Sequence, residues 1–291
     1  MEKETKLTLG DSMKKLETPY TDGVEVANGV SLGISKVPEG HYCIIRVDGR
    51  AFHTFTRSFR AREIPFSPII CGAMKAATEA LIEEFQPVIA YSQSDEITLV
   101  IDPHKVTFSR KVSKLNSIAS AVATAYFNEH IRNNHGKISP KPAVFDARTF
   151  GVPTRESAAL VLLWRQNDAI RNSISTLARA HFSQKQLDSK KSNDKINMLA
   201  DQGIYWDELE YGLKYGLIAY RGTMEVEPNE EYLASLPERA RQNLLETGGK
   251  IVRSYTEYID NLPPFKEIAN LPDVLFDRAA PVLKRNIFED N

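Results

Sequence analysis

Cysteine is almost absent from this chain: Cys43 and Cys71 are the only two among 291 residues. Two thiols make neither a disulfide scaffold nor a zinc site, and Cys43 sits in an apolar, strand-like run where it reads as core. Such usage fits a reducing, cytoplasmic compartment. Long hydrophobic runs are missing as well. The strongest, Ala158 to Trp164, is far too short to span a bilayer, so no membrane role is expected. The first residues, Met1-Glu2-Lys3-Glu4-Thr5-Lys6, are charged and lead into no apolar segment, which argues against a secretory signal. Net charge is nearly cancelled, at −1 from 37 basic and 38 acidic residues. That removes the global basic field of many nucleic-acid binders, although a local basic patch would suffice for a nucleic-acid substrate. Familiar motifs are missing too. Thr247-Gly248-Gly249-Lys250 lacks the leading glycine of a P-loop, and there is no G-x-S-x-G elbow, no H-E-x-x-H and no paired C-x-x-C.

What remains is a chain with 42% hydrophobic and 26% charged residues, ordinary for a globular protein with a substantial core. Two stretches stand out. Ile44-Ile45-Arg46-Val47-Asp48-Gly49-Arg50 and Ile89-Ala90-Tyr91-Ser92-Gln93-Ser94-Asp95-Glu96-Ile97-Thr98-Leu99-Val100 each run from an apolar, β-favouring segment into an acidic residue. Taken alone, Asp48-Gly49 is an ordinary turn dipeptide, and so is the Asp95-Glu96 corner. Together they are more informative, because strand pairing would bring the carboxylates to one place. Hard cations such as Mg²⁺ take carboxylate oxygens and keep water and substrate phosphates as remaining ligands, and two such ions can align a phosphoryl displacement.

The pattern along the chain predicts the scaffold. Residues 1–40 are polar and poorly periodic and read as an N-terminal arm. Residues 41–224 read as the catalytic domain and 225–291 as a helical C-terminal region, with the boundary near Met224. Tyr42 to Val47 reads as a strand, and Ser67-Pro68 as a helix start whose helix ends at Pro87. Val88–Ser92 and Glu96–Ile101 form a hairpin around Gln93-Ser94-Asp95. Leu115, Ile118, Ala119, Val122, Ala125 and Tyr126 mark an amphipathic helix. Ala143–Phe150 is a strand, and Pro153-Thr154 opens a helix to about His181 that buries Leu163, Ile170, Ile174 and Leu177. Its opposite side carries Arg165, Asp168, Asn172, Ser175 and Arg179. Gln184–Asn197 reads as a polar surface loop. The order implies an α+β fold, an antiparallel sheet covered on one face by helices.

Several further residues admit two readings. Phe52 and His53 could stack on and hydrogen-bond a base, or be a core phenylalanine and an incidental histidine. Arg110 and Lys114, four apart on one helix face, could grip a triphosphate or form a solvated face. The polar side of the long helix could meet a ligand or simply face water.

Five motifs in order resemble the tRNA-His guanylyltransferase superfamily. They are Arg46-Val47-Asp48-Gly49-Arg50-Ala51-Phe52-His53-Thr54-Phe55, Tyr91-Ser92-Gln93-Ser94-Asp95-Glu96, Ser113-Lys114-Leu115, Phe145-Asp146-Ala147-Arg148 and Trp164-Arg165-Gln166-Asn167-Asp168. The resemblance spans roughly residues 40–222. It implies a polymerase-palm-like sheet, a homotetramer, and a 3′-to-5′ nucleotidyltransferase acting on the 5′ end of tRNA, with ATP and GTP as substrates. Asp48 and Asp95, with the Gly49 carbonyl, would bind two Mg²⁺ ions, and Glu96 would support them as a catalytic carboxylate. His53, Ser94, Arg110 and Lys114 would contact the nucleoside triphosphate, with backbone amides of Gly49, Arg50, Ala51, Phe52 and His53 cradling it. Arg165, Arg171 and Asn172 would face tRNA.

The chain also departs from the family pattern. Arg171-Asn172-Ser173-Ile174-Ser175 replaces the eukaryotic His-Ile-Asn signature, and Ala147 replaces glycine. Both resemble the guanylyltransferase-like branch that repairs tRNA 5′ ends on a template. Ile64-Pro65-Phe66-Ser67 lacks the usual cation before proline, for which Arg60 or Arg62 could substitute. Two other functions fit the same residues: a palm-fold nucleotide cyclase-like signalling enzyme, and a non-catalytic RNA-binding module.

Overall fold

The computed structural model describes residues 8–21, 24–27, 30–59, 66–135 and 141–284. Helix α1 (Leu9–Thr21) is followed by a small hairpin, β1 (Val24–Ala27) and β2 (Val30–Leu32), and then by strand β3 (Tyr42–Gly49). One helical turn, α2 (Phe52–Phe55), precedes helix α3 (Pro68–Phe85), strands β4 (Ile89–Gln93) and β5 (Glu96–Ile101), helix α4 (Val112–His135), strand β6 (Phe145–Val152) and helix α5 (Arg155–His181). Short helices α6 (Gln184–Leu187), α7 (Ser192–Ala200) and α8 (Tyr211–Tyr215) lead to strand β7 (Leu217–Val226). Helices α9 (Glu230–Ser235) and α10 (Glu238–Glu246), strand β8 (Ile251–Ile259) and helix α11 (Leu271–Asp277) follow.

Six strands form one sheet in the order β6-β3-β5-β4-β7-β8, every pair antiparallel. Alternation sorts each strand between two cores. On one face Cys43, Ile45, Val47, Ala90, Ile97, Leu99 and Phe145 pack against α3 and α4. On the other, Ile44, Ile89, Tyr91, Val100, Phe150 and Val152 pack against α1, α5 and α11. The α+β class and the antiparallel sheet are as expected, but both faces are covered rather than one. The near-continuous apolar character of β3 and β5 is the physical reason, since a strand with a wet face would carry polar residues at every second position.

Local signals hold at the helix ends. Pro68 occupies the first turn of α3, and Gln86 in the left-handed region ends it before Pro87. Thr154 caps α5, its hydroxyl accepting the Ser157 N–H at 3.1 Å.

Three segments differ from the sequence reading. Within residues 1–40, α1 packs on the sheet, because Met13 and Glu17, four apart, turn their side chains inward together. Gln184–Asn197 is not a loop throughout: α6 and α7 form there, started by Gln186 accepting the Ser183 N–H and Asp194 accepting the Lys191 N–H, each at 2.9 Å. Beyond Met224 the segment has helices, as expected, but it also supplies β8, whose Ile, Val and Tyr residues favour a strand. Met224 itself lies inside β7. Arg60, Arg62, Ile64 and Pro65 lie outside the described residues.

Candidate active site

Strand register assembles the site. β3 lies between β5 and β6, so Asp48 faces Glu96 on one side and Asp146 on the other. Directly opposed residues put their β-carbons about 5 Å apart on one face. Asp95 sits at the β4–β5 corner, set by Ser94 at φ 49°. The Gly49 N–H donates to the Asp95 carbonyl at 3.0 Å, tying the end of β3 to that corner. A β-carbon on Gly49 would meet the Phe52 ring at 2.4 Å and the Asp95 β-carbon at 3.0 Å, so glycine is what permits the approach. The end of β3 that carries Asp48 and the corner that carries Asp95 are thus tied together through Gly49.

The sheet face below Asp48 is densely charged. Arg46 donates to both Glu17 carboxylate oxygens, at 2.9 and 3.1 Å. Arg165 donates to both oxygens of Glu96, at 2.6 and 2.5 Å, and to Asp168 at 2.8 Å; Asp168 also accepts from Arg171 at 2.6 Å. Arg46 and Arg165 both lie near the Trp164 ring, 5.3 and 4.6 Å from its centroid, which makes Trp164 a buried support. Burial pushes the Asp48 carboxyl above its ordinary range and neighbouring Asp146 pushes it further, opposed by Arg46, Arg148 and Arg165. Burial also lifts Glu96, with the Arg165 guanidinium pulling back.

These contacts reassign several expected residues. Glu96 is buried with both oxygens committed to Arg165, so it positions the floor of the site rather than presenting a ligand to solvent. Arg165, expected to face tRNA, is 6% exposed with its guanidinium spent on Glu96 and Asp168. Arg171 and Asn172, about two turns further along α5, are exposed.

Arg110 is also internal. Its guanidinium donates to the carbonyls of Val37, Pro38, His41, Pro103 and Lys105, which fills its donor capacity. His41 precedes β3, and Asp48 lies seven residues on, about 23 Å at strand rise. Lys114 is distant as well. Asn116 bonds Thr149, which pairs with Ile45, whereas Thr124, two turns later in α4, accepts from Phe145, which pairs with Gly49. Helix α4 thus runs towards Asp48, and Lys114 stands at its other end, its ammonium 5.6 Å from the Phe108 ring. Arg110 does not share a helix face with Lys114, as the four-residue spacing implied: it precedes α4 at φ 57°, whereas Lys114 lies in the first turn of α4.

The Phe52 side chain is core, its ring 5.3–5.5 Å from those of Phe55, Phe127 and Phe145. Of the expected amides, those of Gly49 and Arg50 are committed to Asp95 and Val144. The stretch Ala51–His53 follows, where Ala51 at φ 51° starts α2.

A cleft of about 380 Å³ opens beside the strand ends. His53, Ser94, Asp95, Asn172 and Arg179 give it polar walls; Phe66, Ile70, Met74, Leu213 and Leu217 line its apolar side. An apolar pocket with a few convergent polar groups is the usual form of a nucleotide-sized site. Sequence reasoning gave no site role to Asp146, Lys75 or Arg179. Asp146 stood inside a quoted motif and Arg179 on a noted helix face, while nothing in the pattern pointed to Lys75.

The fit to magnesium can be tested on these side chains. Among the described residues no cluster of three or more His, Cys, Asp or Glu is poised as a metal cage. Mg²⁺ does not need one, since it takes one or two carboxylates plus phosphate and water. Asp48 makes no ion pair among the described residues, and burial, with Asp146 beside it, raises its affinity for a proton. The donors present fit that ion.

Residues 33–153 match the family model described as tRNAHis guanylyltransferase. The tRNA(His) guanylyltransferase of Neurospora crassa is 29% identical over 202 residues, 64% of this chain and 69% of that protein. A bacterial tRNA(His) guanylyltransferase-like protein, solved in complex with ATP, is 27% identical with a TM-score of 0.63, over 89% of this chain and 94% of that one. A structure of such a protein in complex with GTP gives 25% identity and a TM-score of 0.57 over the same shares.

Proposed function

We propose that this chain, which belongs to the tRNA-His guanylyltransferase superfamily, is a Mg²⁺-dependent 3′-to-5′ nucleotidyltransferase of the guanylyltransferase-like branch. It adds nucleotides, GTP among them, to the 5′ end of tRNA in the cytoplasm as a homotetramer. The observation that carries this reading is the bond that ties the Asp48-Gly49 end of β3 to the Asp95 corner, beside a nucleotide-sized cleft that Asp95 lines. The ATP and GTP complexes of the bacterial proteins support the nucleotide classes.

In this reading an oxygen of the tRNA 5′-monophosphate attacks the α-phosphorus of ATP, releasing pyrophosphate and leaving a 5′-adenylate; the 3′-hydroxyl of the incoming nucleotide then attacks the 5′ phosphorus and AMP departs. Asp48, Asp95 and the Gly49 carbonyl would hold two Mg²⁺ ions, which when bound lower the cost of forming the nucleophile and neutralise the leaving group. The residues supply placement, on which phosphoryl transfer chiefly depends. Ser94, whose hydroxyl donates to Asp95 at 3.1 Å, orients that carboxylate. His53 and the backbone from Ala51 border the cleft where a base and phosphates would lie. Glu96 and Arg165 fix the floor beneath Asp48. Arg171 and Asn172 offer an exposed face of α5 to tRNA.

The test is nucleotide addition to a tRNA lacking one 5′ nucleotide, with each of the four triphosphates in turn. Addition should follow the templating base and vanish in Asp48→Ala and in Asp95→Ala, with circular dichroism unchanged. Retained activity in both variants refutes the assignment. GTP consumption that is equal with and without tRNA would instead indicate cyclase-like chemistry.

A further inference from the structure

Strand β8 ends the sheet, and among the described residues nothing pairs with its outer edge. Soluble proteins usually blunt such an edge with proline, lysine, a bulge or short length. β8 has none of these: it runs nine residues, pairs with β7 in unbroken register, and contains neither proline nor lysine.

Its sequence is symmetric in chemistry about Tyr255. The strand reads Ile251-Val252-Arg253-Ser254-Tyr255-Thr256-Glu257-Tyr258-Ile259. In an antiparallel pair of identical strands, residues equidistant from the centre oppose each other on the same face. Centred on Tyr255, Arg253 of each copy opposes Glu257 of the other, Ser254 opposes Thr256, Val252 opposes Tyr258, and Ile251 opposes Ile259. Moving the centre by one residue sets Arg253 against Tyr255 or Ile259 and loses both charge pairs. Arg253 has no ion pair among the described residues. Glu257 accepts from Arg278 at 2.7 Å and, with a second oxygen, can take another donor. Val252 and Tyr255, 69% and 41% exposed, would gain cover.

We infer that two copies of this chain join by β8–β8 pairing across a two-fold axis at Tyr255, which runs one sheet through both. This rests on the homotetramer reading and supplies one of the isologous interfaces such an assembly requires. The partner is a second copy because the charge order of β8 is complementary to itself.

Light-scattering mass after size exclusion provides the first test. Arg253→Glu sets like charges opposite each other at two points and is expected to halve the assembly mass of the wild type. Arg253→Glu/Glu257→Arg restores the pairs with reversed polarity and is expected to regain the mass. A cross-link tests register without relying on charge. In a Cys71→Ser background, Tyr255→Cys brings two thiols together on the axis, where opposed α-carbons about 5 Å apart suit a disulfide. Mild oxidation should then give a reducible two-chain band, whereas Ser254→Cys, which faces Thr256 of the other copy, should not. An oligomer unmoved by Arg253→Glu, or equal cross-linking at both positions, overturns this interface and leaves the homotetramer reading standing. A monomeric wild type ends both.

Discussion

Arg165 provides a stringent stability test, since the site's floor depends on it. Its guanidinium meets Glu96 through two charge-assisted bonds of 2.6 and 2.5 Å, with the two side chains 8% and 7% exposed. Replacing Arg165 with methionine keeps most of the volume and strands the carboxylate. Breaking one side of a buried pair costs about 3–5 kcal/mol. With an unfolding entropy of about 0.6 kcal/mol/K for a chain of this length, the midpoint should drop by about 5–8 °C. Asp168 softens the loss little, because it keeps Arg171 and is partly exposed.

The pH dependence of that loss identifies its origin. Burial already raises Glu96, and removing the Arg165 guanidinium raises it further. A carboxyl raised on folding contributes fully below its unfolded pKa, and the contribution is lost as pH rises through the folded value. The Arg165→Met deficit should therefore be small near pH 4.5 and grow towards pH 8. Adding Glu96→Leu, which removes the stranded charge, should restore most of the midpoint while leaving nucleotide addition impaired. Differential scanning calorimetry of the three variants across pH is the assay. A deficit that is flat with pH, or that the second substitution fails to relieve, refutes the account of Glu96 as an anion held by Arg165.

Other outcomes follow from neighbouring residues. Asp48→Asn should raise the midpoint of the metal-free protein at pH 7, because burial and Asp146 disfavour the charged carboxylate; the same sign rule makes this gain fade towards pH 4, which a pH series of melts checks. Arg110→Met should cost about 3 kcal/mol through five deprived carbonyls, visible in denaturant melts, whereas Lys114→Ala should leave the KM for the triphosphate unchanged. Gly49→Ala should cost about 1–3 kcal/mol by driving a methyl into Phe52, and it should lower kcat beyond the loss of folded protein because Asp95 is displaced.

The legible parts of this molecule are those whose cause is local. The apolar, β-branched runs of β3 and β5, Pro68 in the first turn of α3 and Thr154 before α5 each act over a few residues, and the corresponding elements form where the pattern puts them. The corner that carries Asp95 could be anticipated because a hairpin fixes its own turn. Arg110, Arg165 and Lys114 were opaque for a different reason. A cationic side chain on a helix reads the same whether it meets water, phosphate or a buried carbonyl, and only tertiary placement separates these. Arg165 looks like part of a wet helix face until β5 brings Glu96 beneath it. The strand β8 was hidden for the same kind of reason, since its alternating charged and aromatic residues match a surface helix about as well as an edge strand.

The charge arrangement on the α5 side of the sheet explains why a cation would settle at Asp48. Glu17, Glu96, Asp146 and Asp168 are answered there by Arg46, Arg148, Arg165 and Arg171, in two sets of ion pairs, one joining α1 to β3 and β6 and one running from β5 to the surface of α5. Four carboxylates and four guanidiniums balance, and Asp48 is the fifth carboxylate. Since Arg46 and Arg165 are held on Glu17 and Glu96 by two bonds each, neither can swing over to neutralise it. The surplus negative charge is fixed in place at the end of β3. A surface carboxylate would be satisfied by water, but one held in this half-buried position gains most from a small divalent ion that brings its own phosphate and water ligands.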